Sequence, residues 1–325
     1  MAVIRRNILL NPTIRDAYLK GIMLLKQEVT AVTTSMLGIP GPNNPVRTYD
    51  LFVIWHYKAM MTPVPPGGNS NIRNAAHRGP IFLPWHRVML AFLEQNLQRV
   101  LNDPSFGLPY WNWAIDGSLP PNLQMTTPVW MTDCLGGQGN PVTTGRFAFN
   151  AADPNCFRVR IASDASANLQ QTNRGLRRSF GIDSPSLPTA IDVTSVLNTF
   201  FDPSLRKYDS PNWDKDSQGF RNRLEGFIGT GLHNQVHRWV GGDMMPASSP
   251  NDPVFYLHHC NIDRIWEQWM IFNGRTYLPD MTASISLLGH RIDDPIVSPL
   301  LGGATAATPR GTLDISATYG YDAFP

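Results

Sequence analysis

The chain has 325 residues, of which 42% are hydrophobic, enough to bury a large core in a single domain. A net charge of +2 with only 16% charged residues leaves no basic stripe and no interleaving of aromatics with arginines, which argues against a nucleic-acid partner. No apolar run approaches the roughly 18 residues of a membrane span, and Ile8 to Leu10 after Arg5 and Arg6 is too short for an export signal, so the expectation is a protein cytoplasmic as synthesised, with no membrane contact.

In chain order, Asn11 to Thr34 reads as a helix, with Ile14, Tyr18, Ile22, Leu25 and Val29 at helical spacing after Pro12. A turn follows at Gly38 to Pro45. Tyr49, Phe52, Val53, His56 and Met60 then share one face of a second helix, which turns His56 inward. Pro63 to Asn71 is a loop by composition and runs on past His77 to Pro80, so His77 lies on irregular backbone. After Pro84 a third helix carries His86, Met89, Leu90, Leu93, Leu97 and Val100 on one stripe. The aromatic segment Leu108 to Asp116 reads as core packing, and Gly117 to Asn173 as a long excursion with a short strand at Phe157 to Ile161.

Short helices are expected at Ile191 to Phe201 and Phe220 to Phe227. His233 and His237 stand at i and i+4, which puts two imidazoles on one helical face, ahead of a mobile-looking loop from Gly241 to Ser249. Asp252 as N-cap and Pro253 at the first helical position open a long helix running to Asn273. On it His259, Ile262, Asp263, Trp266, Trp269 and Met270 share a face, while His258 sits about 100° away, so His259 is taken as the inward member of the pair. The last fifty or so residues suggest loops and short strands. Cys134, Cys156 and Cys260 form no C-x-x-C site; a Cys134–Cys156 bridge is open, with free buried thiols preferred.

Six of the eight histidines fall into two trios, His56, His77, His86 and His233, His237, His259. One inward histidine is usually a satisfied core residue; two trios on inward helical faces point to metal. The economical fold is mainly α, a four-helix bundle enclosing a two-metal centre, with long loops and a few short peripheral strands. The carboxylate motifs of a di-iron bundle are missing, and H-N-Q-V-H at 233 to 237 lacks the glutamate of a zinc hydrolase. All-imidazole sites with an open position suit copper.

The segments HRGPIFLPWHR (77 to 87), LPYWNWA (from 108), LHNQVHRWVGG (232 to 242) and NDPVFYLHHCNIDRIW (251 to 266) together resemble the type-3, or coupled binuclear, copper proteins, and bacterial tyrosinases in particular. The resemblance spans essentially the whole chain, to a closing tyrosine motif at Tyr319 and Tyr321. It implies one catalytic domain over 1–325 with two copper ions, one held by His56, His77 and His86 and the other by His233, His237 and His259. It also implies O2 as co-substrate, ortho-hydroxylation of small phenols, and oxidation of catechols to o-quinones of the kind that feed melanin. By position, Glu225 and Asn234 resemble the pair that holds a water accepting the phenol proton. Asp263 is expected either to orient an imidazole or to pair with an arginine.

Ala75 stands where some relatives carry a cysteine linked to the second histidine, so no thioether is expected. No shielding domain is expected after Tyr321, and a separate protein that delivers copper and carries an export signal would fit such a chain. Met244, Met245 and Ala247 resemble an active-site entrance. The competing functions are a catechol or o-aminophenol oxidase without useful hydroxylation and, from another class, a haemocyanin-like oxygen carrier.

Overall fold

The computed structural model describes residues 2–229, 231–298, 303–304 and 307–325. The chain is mainly helical. It opens with β1 (Val3–Arg5) and α1 (Pro12–Gln27), where the Asn11 side chain accepts from the Ile14 amide at 3.1 Å and Pro12 occupies the first turn. The expected helix overshoots here. From Val29 the β-branched run VTAVT favours extended backbone and forms β2 (Val29–Thr33), antiparallel to β3 (Pro45–Arg47).

Two long helices follow, α2 (Thr48–Met61) and α3 (Phe82–Leu101), the latter ended by Asn102 in the left-handed region. Gly21 of α1 lies against Leu97 of α3, where an added Cβ would sit 2.7 Å from a leucine methyl, so the two helices approach closely only because no side chain stands there. The excursion contains α4 (Trp113–Gly117), α5 (Pro121–Gln124) and a hairpin of β4 (Val159–Ser163) with β5 (Leu169–Arg174). The expected strand is displaced by two residues.

Next come α6 (Ala190–Leu197), begun by a Thr189–Asp192 capping box, then α7 (Phe220–Glu225) and α8 (Leu232–Val240). Gly226 ends α7 at φ 105°, with the Gly231 backbone 2.8 Å from where its Cβ would be, a contact that brings α7 against the start of α8. The segment Gly241 to Ser249 is not the mobile loop expected: it holds a 3-10 turn, and Asp243, Met244, Ser248 and Ser249 are buried.

Helix α9 (Val254–Asn273) is buried on every side from Val254 to Met270, the pattern of a helix at the centre of a domain. It starts one residue after the expected position, yet the Asp252 carboxylate still accepts from the Val254 amide at 3.0 Å and pairs with Arg178. The Tyr18 and Tyr49 hydroxyls donate to the carbonyls of Pro253 and Pro250, tying α1 and α2 to the entry of α9. The chain closes through β6 (Val297–Ser298), antiparallel to β7 (Gly303–Ala304), and β8 (Tyr319–Tyr321), parallel to β1.

That last pairing delivers three side chains to α9. Asp263 accepts from Arg5 (3.3 Å), Arg87 (2.6 Å), Tyr319 (2.6 Å) and Tyr321 (2.5 Å), so of its two expected roles it takes the pairing with arginine. Arg5, fully buried, also donates through Nε and Nη2 to Glu94 of α3. Cys134, Cys156 and Cys260 are all free; Cys134 and Cys260 are buried as expected, while Cys156 is partly exposed.

Candidate metal centre

The histidines converge as the trios require. His56 lies in the interior of α2, His77 on the irregular segment before α3, and His86 in the second turn of α3; their ring centroids are 5.0, 4.7 and 5.7 Å apart. His233 and His237 face inward from α8 and His259 from α9, at 4.5, 4.8 and 5.8 Å. The two groups meet where His86 stacks on His259 at 4.1 Å and 9°. Phe82 and Phe255 pack against both groups and make the interior between them apolar.

Hydrogen bonding fixes how several rings are aimed. Nδ1–H of His56 donates to the Ala247 carbonyl (2.7 Å), that of His86 to Phe82 (2.7 Å) and that of His237 to Met244 (2.6 Å). In each the buried Nε2 has no partner, so the lone pair points inward. His233 presents Nδ1 to the Glu225 carbonyl (3.2 Å) and the Asn234 side-chain oxygen (3.0 Å), and its Nε2 lies 3.3 Å from Nε2 of His259. His77 and His259 lack this anchoring: Nδ1 of each is buried and unpaired.

A buried imidazole nitrogen left unpaired costs about 1–3 kcal/mol, so such a cluster is explained by a cation and not by packing. Two nitrogens on one tetrahedral ion at a bond length of roughly 2.0–2.1 Å stand about 3.3 Å apart, which is the His233 to His259 separation. Burial pushes His56 down to about 3 and His237 to about 4, and burial together with neighbouring rings holds the others well below the usual imidazole range. All six are therefore neutral at ordinary pH, the form that binds metal. The donor set fits two ions of a soft-to-borderline metal such as copper.

The first group of donors is His56, His77 and His86, but the second contains four, His233, His237, His258 and His259, whose nitrogens lie within 4.8 Å of one another. His258, set aside by the helical wheel, is as buried as His259. Because α9 is surrounded on all sides, a position 100° off one face still faces protein, and the all-round apolar character of Phe255 to Cys260 was the signal that could have shown it.

A cavity of about 400 Å³ opens onto the cluster between His56, His77, His233, His237, Asn234, Arg78, Phe227, Arg238, Met245 and Pro246. A larger one, about 480 Å³, lies against α4, α6, Arg264 and Phe324 and holds no histidine, so chemistry rather than size identifies the site. Asn234 is on the cavity wall. Glu225 is behind it, fully buried, its carboxylate accepting from the Arg78 amide (2.7 Å) and Arg221 (2.9 Å). Of the expected entrance residues only Met245 lines the cavity; Met244 is buried, and Ala247 contributes its carbonyl to His56.

Residues 46–271 match the family model described as the common central domain of tyrosinase. The chain is 40% identical over 225 residues to a tyrosinase of Streptomyces antibioticus, covering 68% of this chain and 72% of that protein. It is 34% identical over 303 residues to grixazone synthase of Streptomyces griseus, covering 84% and 90%. A polyphenol oxidase from Thermothelomyces thermophila shares the fold, with a TM-score of 0.69 at 20% identity over 98% of this chain and 88% of that one. With two histidine groups arranged to hold a metal pair, the chain belongs to the tyrosinase family and is a copper-dependent phenol oxidase.

Proposed function

We propose that the protein hydroxylates small monophenols at the ortho position and oxidises the resulting diphenols to o-quinones with O2. In this reading His56, His77 and His86 hold one copper ion, His233, His237 and His259 the other, and residues 1–325 act as one catalytic domain. The observation that carries it is the pair of imidazole groups, buried and neutral, with inward Nε2 lone pairs opening on one cavity. When bound, the copper pair supplies the activation of dioxygen and accepts electrons from the aromatic ring.

The remaining work falls to the chain. Phe82 and Phe255 keep water from the space between the trios, which strengthens every polar interaction there. Phe227, Met245 and Pro246 offer apolar walls to a phenol ring at the mouth. A phenol has a pKa near 10 and is protonated at neutral pH, so hydroxylation needs a proton acceptor within reach. We assign that task to a water held between Glu225 and Asn234. Each Glu225 carboxylate oxygen accepts one hydrogen bond within the protein and keeps a further lone pair.

Copper-loaded protein assayed on a monophenol and its matching catechol tests this. Glu225→Gln and Asn234→Ala are expected to slow monophenol turnover by about 100-fold or more, the usual scale for a lost proton acceptor, and to change catechol oxidation far less. Wild-type protein that oxidises catechols and leaves monophenols untouched is instead a catechol or o-aminophenol oxidase. We also propose synthesis in the cytoplasm with copper supplied by a separate protein; rapid filling with two equivalents from free copper would remove the need for one.

A further inference from the structure

We propose that Glu225 sets the spacing between the two metal groups, its carboxylate fixing the segment that carries His77 while its main-chain carbonyl aims His233. The proposal rests on the reading of the two trios as copper sites, and it gives Glu225 a positioning task separate from the holding of a water.

His77 is the member of the six that lies on no helix. Its ring also lacks an anchor, whereas His56, His86 and His237 each donate Nδ1–H to a carbonyl. The direction of the His77 ring is therefore set through its backbone. On one side the Asn74 side-chain oxygen accepts from the amides of Ala76 (3.2 Å) and His77 (2.8 Å). On the other, Arg78 stands at φ 62°, in the left-handed region that a residue with a side chain rarely takes. Its amide donates to Oε1 of Glu225 at 2.7 Å. A buried carboxylate at that distance is a strong acceptor, and this bond holds the turn that follows His77.

Glu225 is itself fixed. Nη1 of Arg221 donates to its Oε2 at 2.9 Å, and Arg221, 0% exposed, is held in turn by Asp209 and Ser217. The same residue reaches the second group, because its main-chain oxygen lies 3.2 Å from Nδ1 of His233. Gly226, directly after it, packs against Gly231 at the entry of α8. His77 and His233 belong to different groups, with ring centroids 5.9 Å apart. Glu225 joins them through a few covalent bonds and a hydrogen bond at each end. A substitution at 225 removes only the side-chain end, so the loss falls on the half that contains His77.

The test compares wild type, Glu225→Gln and Glu225→Ala in two measurements. Glutamine keeps an oxygen for the Arg78 amide, while Arg221 retains Asp209 and Ser217; alanine offers no acceptor. In copper-free protein, hydrogen exchange followed by nuclear magnetic resonance reads the Arg78 amide directly. Exchange there is expected to quicken by about 10-fold or more in Glu225→Ala, the scale of a lost hydrogen bond to a charged group, and to stay close to wild type in Glu225→Gln. In copper titrations Glu225→Ala should bind one of its two equivalents about 10-fold or more weakly, the scale of losing a group that orients a ligand, with Glu225→Gln again close to wild type. A Glu225→Ala protein with wild-type exchange at Arg78 and wild-type affinity for both equivalents overturns the proposal. So does a wild-type Arg78 amide that exchanges at the rate of an unstructured chain, a result that stands even where Glu225→Ala fails to fold. The proton-accepting role is read separately, from monophenol turnover by Glu225→Gln, in which the spacing is kept. Wild-type protein that binds no copper overturns the reading of the trios and this proposal together.

Discussion

Helix α9 buries polar side chains in two opposite ways little more than one turn apart. His258 leaves both ring nitrogens, and His259 its Nδ1, buried in the interior without a hydrogen-bond partner. Asp263 is met four times over, by Arg5, Arg87, Tyr319 and Tyr321, and Glu267 by Arg87 and Arg275. The first arrangement is unfavourable until a ligand arrives, and the second is complete in itself. On this helix the satisfied carboxylates hold the scaffold, and the unpartnered imidazoles, gathered with those of α8 into one group, mark where a metal can be held.

The contrast can be broken by exchanging its consequences. His259→Ala should have the largest effect, on function: catechol turnover falls by about 1,000-fold or more as a metal ligand is lost. Copper counted by atomic absorption falls from two towards one per chain. The apo-protein Tm should move by no more than about 4 °C. Asp263→Ala should do the reverse, lowering unfolding free energy in urea by about 3–5 kcal/mol because two buried arginines each lose one of their carboxylate partners and the Tyr319 hydroxyl loses its acceptor. Loss of stability from the histidine change, or none from the aspartate change, would erase the distinction between the two turns.

A smaller effect sharpens it. Burial raises the Asp263 carboxyl, but the Arg87 and Arg5 guanidiniums and the two phenols outweigh burial and hold it below the usual carboxylate range. A carboxyl depressed in the folded state stabilises fully above its unfolded value, about 3.9, and loses that contribution as pH falls through the lower folded value. The Tm gap between wild type and Asp263→Asn should therefore be level above about pH 5 and narrow below about pH 4.

Much of this was legible in the sequence, and for stated reasons. The trios were readable because helical spacing fixes which face a residue takes: His56 on the stripe of Tyr49 and Phe52, and His233 with His237 at i and i+4. Irregular backbone at His77 was readable from the prolines and glycines before it. The end of α1 was not, because Val29 continues the helical stripe while its β-branched neighbours pair with Pro45–Arg47, a long-range preference that a local pattern cannot carry. His258 was missed because a wheel assumes one buried face. The Asp263 cluster was half legible: an arginine partner was one of two readings, but nothing local shows that Arg5 and Tyr321 come from opposite ends of the chain.

The parallel pairing of β1 with β8 has a consequence for how the protein is made. Arg5 and Tyr321, hydrogen-bonded at 3.4 Å, are separated by 316 positions. Their shared clasp on Asp263 cannot form until Tyr321 has left the ribosome, so the central helix is secured only after all of the helices described above have been made. The nascent protein therefore emerges with its histidines made but their frame unlocked, and contacts of such long sequence separation form slowly. Copper that reached the chain before Tyr321 emerged would find ligands without a geometry, whereas the clasped chain offers both.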